Sequence, residues 1–524
     1  MPKPAPTFNI INAMENPALF QRWFAGPTWG NWRTILKAAY ALPMTSAELE
    51  FFHSVAGDRE PPSAQVRELW VIGGRRSGKD SVASAVAAFS AAMFTGQKHL
   101  RPGERAMVMC LACDRDQSRI VLNYTRSFFT DVDLLKNLAT RQTALGLELE
   151  NGIDIAISTN NFRSVRGRPI VCAVLDETAF WHDERSMKPD EETLKAITPA
   201  LASIPGSIVV GISSPWRKSG LLYRKFKQHY GQSGDILVIK APTRLLNPTI
   251  PQAVVDRALE EDFHAAQSEW MGEFRTDISG YLDLEVIESA VDSGVIVRPP
   301  LAKFKYFSFC DPSGGARDSF GAAVAHDENG VAVLDCLIEI RSPFNPNVAT
   351  ADIAKVLKSY KLSETVSDRY AAEWPVSAFA QHGIRLRHSD RSRSEIFADC
   401  LPLFTSARAR LLDNRRLVNQ FANLERKTSS MGRDSITHGV GGFDDLCNSA
   451  AGALVLAAAP AIERGLSFFG TQTVSPISNE FGQNDGAGSN QSAYGWNNGN
   501  RPDNARYGDA PADFWRMIGD LESK

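Results

Sequence analysis

Short apolar runs separated by helical stretches dominate the chain from Glu68 onward. ELWVIGG, RAMVMCLACD, PIVCAVLDE and GSIVVGISS are uniformly apolar, so they predict strands buried on both faces, the signature of a parallel α/β sheet. Between them, DSVASAVAAFSAAMF predicts an Ala-rich helix that can pack closely on a sheet, and a second helix is expected near 191–203. LELENGIDIAIS predicts a hairpin with Asn151-Gly152 at its turn. Residues 1–65, with Phe20, Trp23, Phe24, Trp29 and Trp32, predict a lead-in of short helices.

The pattern then changes. A polar, Pro-punctuated region contains one helical run, PQAVVDRALEEDFHAAQSEWMGEF. A second strand-rich unit opens at YFSFCDPSGG, continues through GAAVAHDENGVAVLDCLIEI as a meander, and becomes α/β again. Beyond Thr471, Gly, Asn and Ser predominate, which predicts a flexible tail with a short helix at ADFWRMIGDL. The expected organisation is a helical lead-in at 1–65, an α/β domain at 66–245, a linker region at 246–300, a second domain at 301–465 and a tail at 466–524.

Composition narrows the function classes. The 524 residues carry 57 Lys+Arg against 60 Asp+Glu, a net charge of −3. That excludes binding to nucleic acid through bulk basicity and leaves room for a local basic channel. The seven Cys form no disulfide-framework pattern, which predicts a reducing compartment. MPKPAPTFNI has no apolar signal core, and Ala450 to Ile462 is too short for a bilayer span and contains Pro460. The expectation is a soluble, cytosolic, multidomain protein without a membrane partner.

Gly73-Gly74-Arg75-Arg76-Ser77-Gly78-Lys79-Asp80-Ser81 follows an apolar strand and opens a helix, the context of a phosphate loop. Glycines let backbone N–H groups approach phosphate oxygens, the helix N-terminus adds positive potential, and Lys79 reaches the outer phosphates. Asp80 stands where Ser or Thr normally contacts Mg2+. A simple Gly/Arg turn is the alternative. Asp176-Glu177, ending the strand Ile170–Leu175, supply what the loop lacks: Asp176 can hold Mg2+ and Glu177 can orient the attacking water. Together the two motifs predict an ATPase using ATP and Mg2+. Ser213 and Ser214 end a further strand, where hydroxyls can sense the outer phosphate; a Ser-Pro turn is the alternative. Arg163, Arg166 and Arg168 precede the Asp176 strand, either as a source of an arginine finger or as a solvated basic loop.

The second unit carries its own acids. Asp311 ends a strand, Asp368 follows the strand Glu364–Ser367, and Asp444-Asp445 open a helix. Converging, they could hold two Mg2+ or Mn2+ ions, one activating water and one stabilising a leaving oxygen. Each acid alone is more often a strand-end turn residue or an N-cap. Asp335 and Glu373 are competing ligands, and Asp318 is expected in an exposed loop. Their order within a meander followed by α/β elements resembles an RNase H-like domain. His438 is a loop histidine or a proton carrier. Cys110-x-x-Cys113 lies in an apolar strand and reads as core rather than zinc. The segment Arg385 to Arg393, with Arg408, Arg410, Arg415 and Arg416, gives local positive charge that either contacts DNA phosphates or forms a solvated face.

GGRRSGKD, VCAVLDE, GISSPW, CDPSGG, VSDRYAAEW and GGFDDLCNSAAGAL, in this order, resemble the large terminase subunit of tailed bacteriophages over about residues 20–460. The lead-in FQRWFAGPTWGNWRTILKAAYALPM also looks like that family's approach to its ATPase. The resemblance implies an N-terminal P-loop, ASCE-type ATPase domain and a C-terminal RNase H-like nuclease domain. It implies a motor that cuts concatemeric double-stranded viral DNA and drives it into a procapsid. By motif, Lys79 would be the phosphate-loop lysine, Asp176 the Mg2+ acid, Glu177 the catalytic glutamate, and Ser213 and Ser214 the coupling motif. Asp311, Asp368 and Asp444/Asp445 would be the nuclease acids, and Arg166 a finger reaching a neighbouring subunit. The implied partners are a portal protein, a small terminase subunit and further copies in a ring, a pentamer. The implied location is the host bacterial cytoplasm, transiently at the procapsid portal and not in the mature virion. Asp80 departs from the family pattern, and no adenine-contacting residue has a clear match. The alternative is a P-loop helicase or translocase without nuclease activity.

Overall fold

The computed structural model describes residues 8–467 apart from 113–114, 160–166, 182–188, 317, 369–372, 429–433 and 440–441. Arg163, Arg166, Cys113 and the tail beyond 467 therefore lie outside the described residues. The chain divides into two compact units, Met1–Ser279 with Lys427–Met431, and Gly280–Arg426 with Gly432–Lys524.

In the first unit, eight strands form one sheet: β1 (Glu68–Gly73), β2 (Ala106–Ala112), β3 (Ala139–Thr143), β4 (Gly146–Leu149), β5 (Ile153–Thr159), β6 (Ile170–Asp176), β7 (Ile208–Ser213) and β8 (Ile236–Ala241). Their spatial order is β3-β4-β5-β2-β6-β7-β1-β8. Six are parallel, while β3, β4 and β5 pair antiparallel at one edge. The expected hairpin is present, with Gly152 left-handed in its turn.

The period of two assigns the faces. Leu69 and Val71 of β1, with Val108, Cys110, Val174 and Val210, belong to one core with the helix Lys79–Ala92 and the lead-in helices. Trp70 and Ile72, with Met109, Leu111, Leu175 and Val209, belong to a second core with Ile197 and Leu221. Every residue of β2, β6 and β7 is buried. Helices therefore cover both faces, and the apolar runs are continuous because neither face meets water. Small residues (Ala83, Ala85, Ala87, Ala88) let the Lys79–Ala92 helix lie close to the sheet. β7 lies between β1 and β6, which makes the sheet an ASCE-type P-loop fold.

Four features depart from expectation. β3, β8 and the long helix Arg115–Asp131 were not anticipated. The single helical run after Pro251 is two helices, Gln252–Glu261 and Phe263–Glu269. Asp262 breaks it: its backbone is extended, and its carboxylate accepts the Ala265 N–H at 2.9 Å as an N-cap.

The second unit is built on β9 (Tyr306–Asp311), β10 (Phe320–Glu328), β11 (Val331–Ile340), β12 (Glu364–Ser367), β13 (Arg385–His388) and β14 (Ala409–Arg410). Their order is β13-β12-β9-β10-β11-β14. β9, β10 and β11 form the antiparallel meander, with left-handed Asn329 and Gly330 at the β10–β11 turn. β12 then pairs parallel to β9, and β13 parallel to β12. Three antiparallel strands flanked by parallel ones on the β9 side form the RNase H-like arrangement. The helix Asp445–Ser467 lies across β9 and β10. Gly452 makes this close approach possible, since a Cβ there would stand 2.2 Å from the Phe309 ring. Among the described residues, no helix is long and apolar enough to cross a membrane.

Candidate functional site

β1 ends at Gly73, and the chain turns through Gly74–Gly78 into the Lys79–Ala92 helix. Gly78 is left-handed (φ 91°), a conformation that a side chain would strain. Three successive loop carbonyls are held by side chains from elsewhere in the unit. Thr243 Oγ1 donates to Arg75 O at 2.9 Å, Asn247 Nδ2 to Arg76 O at 2.7 Å, and Trp32 Nε1 to Ser77 O at 2.8 Å. Arg75 also pairs with Glu269 at 3.0 Å. These three bonds hold the loop in one shape, which suits it to cradle an anion.

Lys79 is buried, and its Nζ lies 2.8 Å from Glu177 Oε1. Burial alone would lower its pKa, but the negative charges of Glu177, Asp80 and Asp176 outweigh that and hold it above its ordinary value. Glu177 is left-handed (φ 49°, ψ 47°) directly after β6, a conformation costing a non-glycine residue about 1–2 kcal/mol. This bend lets one carboxylate serve three donors: Lys79, Ser213 Oγ at 3.1 Å and the Ser214 N–H at 3.1 Å. β7, lying between the lysine strand and the glutamate strand, thus touches the glutamate directly.

Asp176 is buried, with Oδ1 lacking any hydrogen-bond partner. Burial, then the charges of Asp80 and Glu177, raise its pKa well above the usual carboxylate range. Asp80 is raised in the same way, burial first and Glu177 next, against the pull of Lys79 and Arg76. Among the described residues, three acids share one buried lysine here, so carboxylates outnumber cations inside the site. An orphaned buried oxygen and excess negative charge fit a divalent cation held by Asp176. Ser81 follows in the same helix, half-buried. Arg168 is not free for a finger role, because it pairs with Asp154.

The second constellation lies in the other unit. Asp311 at the end of β9, Asp368 after β12 and Asp444 before the Asp445–Ser467 helix are all buried. They meet at one guanidinium, that of Arg393. Its Nη1 lies 2.8 Å from Asp444 Oδ1, and its Nη2 lies 3.3 Å from Asp368 Oδ2 and 3.7 Å from Asp311 Oδ2. Asn448 Nδ2 donates to Asp311 Oδ2 at 2.8 Å, and the Ser319 N–H to Asp445 Oδ2 at 3.2 Å. Burial, with the neighbouring charges of Asp368 and Asp445, pushes Asp311 up to about 7. Asp445 is pushed up to about 6 by burial and Asp444. Asp444 Oδ2 is buried without a partner, so this donor set too fits a cation. As the side chains stand, no three His, Cys, Asp or Glu among the described residues are grouped around a metal position.

The Glu373 side chain lies outside the described residues, and the other candidates fall elsewhere. Asp335 Oδ2 lies 2.7 Å from His326 Nδ1, and both residues are fully buried. Asp318 is exposed. His438 ends a strand and turns its Nδ1 to Gly439 O at 2.9 Å. Cys110 is buried within β2, where burial pushes its thiol up, so it is core. Sequence reasoning placed Arg393 in a basic segment that either contacts DNA phosphates or forms a solvated face, and did not foresee its place among the acids; only the β12 and β13 topology brings it there. Asn448 was also missed, although its position one helical turn after Asp444 is a readable signal.

No family model matches the sequence, and no curated protein matches it. Among solved structures, the chain is similar to the large terminase of bacteriophage HK97, at 14% identity and a TM-score of 0.34 over 82% of this chain and 99% of that one. It is similar to the large terminase from a thermophilic bacteriophage, at 12% identity and a TM-score of 0.35 over 80% of this chain and 96% of that one. A third likeness, to the large terminase nuclease from thermophilic phage G20c, has 14% identity and a TM-score of 0.28, covering 34% of this chain and 96% of that one.

Proposed function

We propose that the chain is a viral DNA-packaging motor: an ATPase whose first unit drives double-stranded DNA into a procapsid, with a metal-dependent endonuclease in its second unit that cuts concatemeric DNA. The observation that carries this reading is the meeting of Asp311, Asp368 and Asp444 at one point, in a chain that also builds a braced phosphate loop. Either feature alone suits many enzymes; the pair suits a motor that also cuts.

In the first unit, Lys79 would neutralise the outer phosphates of ATP. Glu177, released from Lys79 as phosphate takes its place, would orient the attacking water, and Ser213 and Ser214 would report that release along β7. Mg2+ bound by Asp176 would supply charge stabilisation for the transferred phosphoryl group. In the second unit, Asp311, Asp368 and Asp444, with Asp445, would hold Mg2+ or Mn2+, which supply an activated water and a stabilised leaving oxygen. Arg166 is proposed as a finger toward a neighbouring subunit. A portal protein, a small terminase subunit and a pentameric ring of copies complete the proposed assembly, in the host bacterial cytoplasm and absent from the mature virion.

The test uses the purified full-length chain, with phosphate release from ATP and Mn2+-dependent plasmid cleavage measured side by side. Lys79→Ala should lower hydrolysis by about a hundredfold or more and leave cleavage intact. Asp311→Asn should do the reverse. A helicase or translocase without a nuclease would show no cleavage that depends on Asp311, and that result would sink the second half of the proposal.

A further inference from the structure

We propose that Arg393 is a built-in rival of the divalent ions in the second unit: its guanidinium and an incoming cation claim the same oxygens of Asp311, Asp368 and Asp444. The inference rests on the nuclease reading of that cluster and adds a residue to it.

The geometry is specific. Arg393 opens the helix Arg393–Thr405, whose start is fixed by a capping box between Ser392 and Glu395. The backbone is therefore anchored, and the long side chain supplies the freedom. Its tip reaches one oxygen on each of three acids drawn from different parts of the chain. The acids are 3–11% exposed at their side chains, whereas Arg393 is 35% exposed, so of these four side chains it has the most access to solvent. A guanidinium keeps its charge at any working pH, so it cannot yield by losing a proton. It can yield only by moving.

Charge counting gives the direction. Among the described residues, one guanidinium, that of Arg393, lies within ion-pair distance of Asp311, Asp368 and Asp444, with Asp445 beside them, so carboxylates outnumber cations there. A pair that served stability alone would satisfy its buried oxygens, because an unpaired one is costly. Here Asp444 Oδ2 and Asn448 Oδ1 are buried without partners. Two divalent ions would balance four carboxylates and leave the arginine in excess. Arginine in place thus lowers apparent metal affinity by the fraction of time it occupies the acids. Its release would free a cation beside the substrate phosphates.

The experiment compares full-length wild type with Arg393→Gln, free of nucleotide, by Mn2+ titration calorimetry, with Asp311→Asn defining the heat that belongs to the cluster. Arg393→Gln should bind Mn2+ about tenfold more tightly, because the competing cation is gone. It should melt at lower temperature in EDTA and gain more from Mn2+ than wild type does. Arg393→Lys, a charge without the three-way fork, should fall between and carries the test if the glutamine variant does not fold. Equal or weaker Mn2+ binding by a folded variant overturns the rivalry while leaving the nuclease reading standing. No Asp311-dependent Mn2+ binding in any protein overturns both.

Discussion

Each unit places one buried or half-buried cation against several carboxylates, and the two units reach that arrangement by opposite routes. In the first, Lys79 and the loop that presents it are contiguous in sequence, and Asp176-Glu177 are adjacent at one strand end. In the second, Asp311, Asp368, Arg393 and Asp444 come from four separate segments and meet only because β12 pairs with β9 and the final helix crosses the sheet. The first site is a local motif braced from outside. The second is a product of topology. Substitutions at the first should therefore act on chemistry with little effect on fold, while those at the second should couple activity to packing.

The strongest break of this contrast uses Glu177. Glu177→Gln keeps shape and removes the charge that Lys79 and the Ser214 N–H now hold. ATP turnover should drop by roughly two to four orders of magnitude, with nucleotide binding retained and the melting temperature nearly unchanged. Loss of binding together with turnover would show that Glu177 shapes the loop instead of acting on water.

What the sequence revealed follows the same division. The glycine-rich turn between β1 and the Lys79–Ala92 helix, the Asp176-Glu177 strand end and the buried strands were readable because each is encoded within a few consecutive residues. The bracing of the loop by Trp32, Thr243 and Asn247 was not, since their spacing from the loop carries no periodic signal. The acids of the second unit were legible as types at strand ends. Asp335 looked equivalent to them until its carboxylate proved to be committed to His326. Arg393 looked like surface charge, because nothing local distinguishes it from Arg391 two residues earlier. Strand β3 was missed because its polar, largely exposed residues lack an apolar run.

A packing substitution sharpens the contrast at the second site. In Gly452→Ala the new methyl would press on the Phe309 ring and lift the Asp445–Ser467 helix from β9. Such overpacking costs about 1–3 kcal/mol, and it should shift Asp444 and Asp445 relative to Asp311. The second unit should unfold earlier in denaturant and cleavage should fall by about tenfold, with ATP turnover preserved. Unchanged cleavage would mean that the acids tolerate movement of the helix that begins at Asp445, directly after Asp444.

The smallest expected effect concerns Asp80, where a carboxylate stands in place of a hydroxyl. Asp80 is mostly buried near Glu177, and the burial, then that like charge, raises its pKa while Lys79 and Arg76 oppose the shift. In its charged form it faces incoming phosphates with the wrong sign, unless a divalent ion lies between them. With Mg2+ bound, the carboxylate would be an additional ligand; in EDTA it would be a repelling neighbour. Asp80→Ser should therefore bind ATP a few-fold more tightly in EDTA and no more tightly with Mg2+, so its metal dependence should be shallower than that of wild type. Titrating a fluorescent ATP analogue under both conditions reads this directly. The raised pKa adds a check of sign: lowering the pH protonates Asp80 in the wild type and removes the repulsion, so the EDTA difference between the two proteins should shrink as pH falls. A difference that is constant with pH and metal would make Asp80 a packing residue of the helix start, leaving the Lys79–Glu177 pair as the whole of the first site's charge logic.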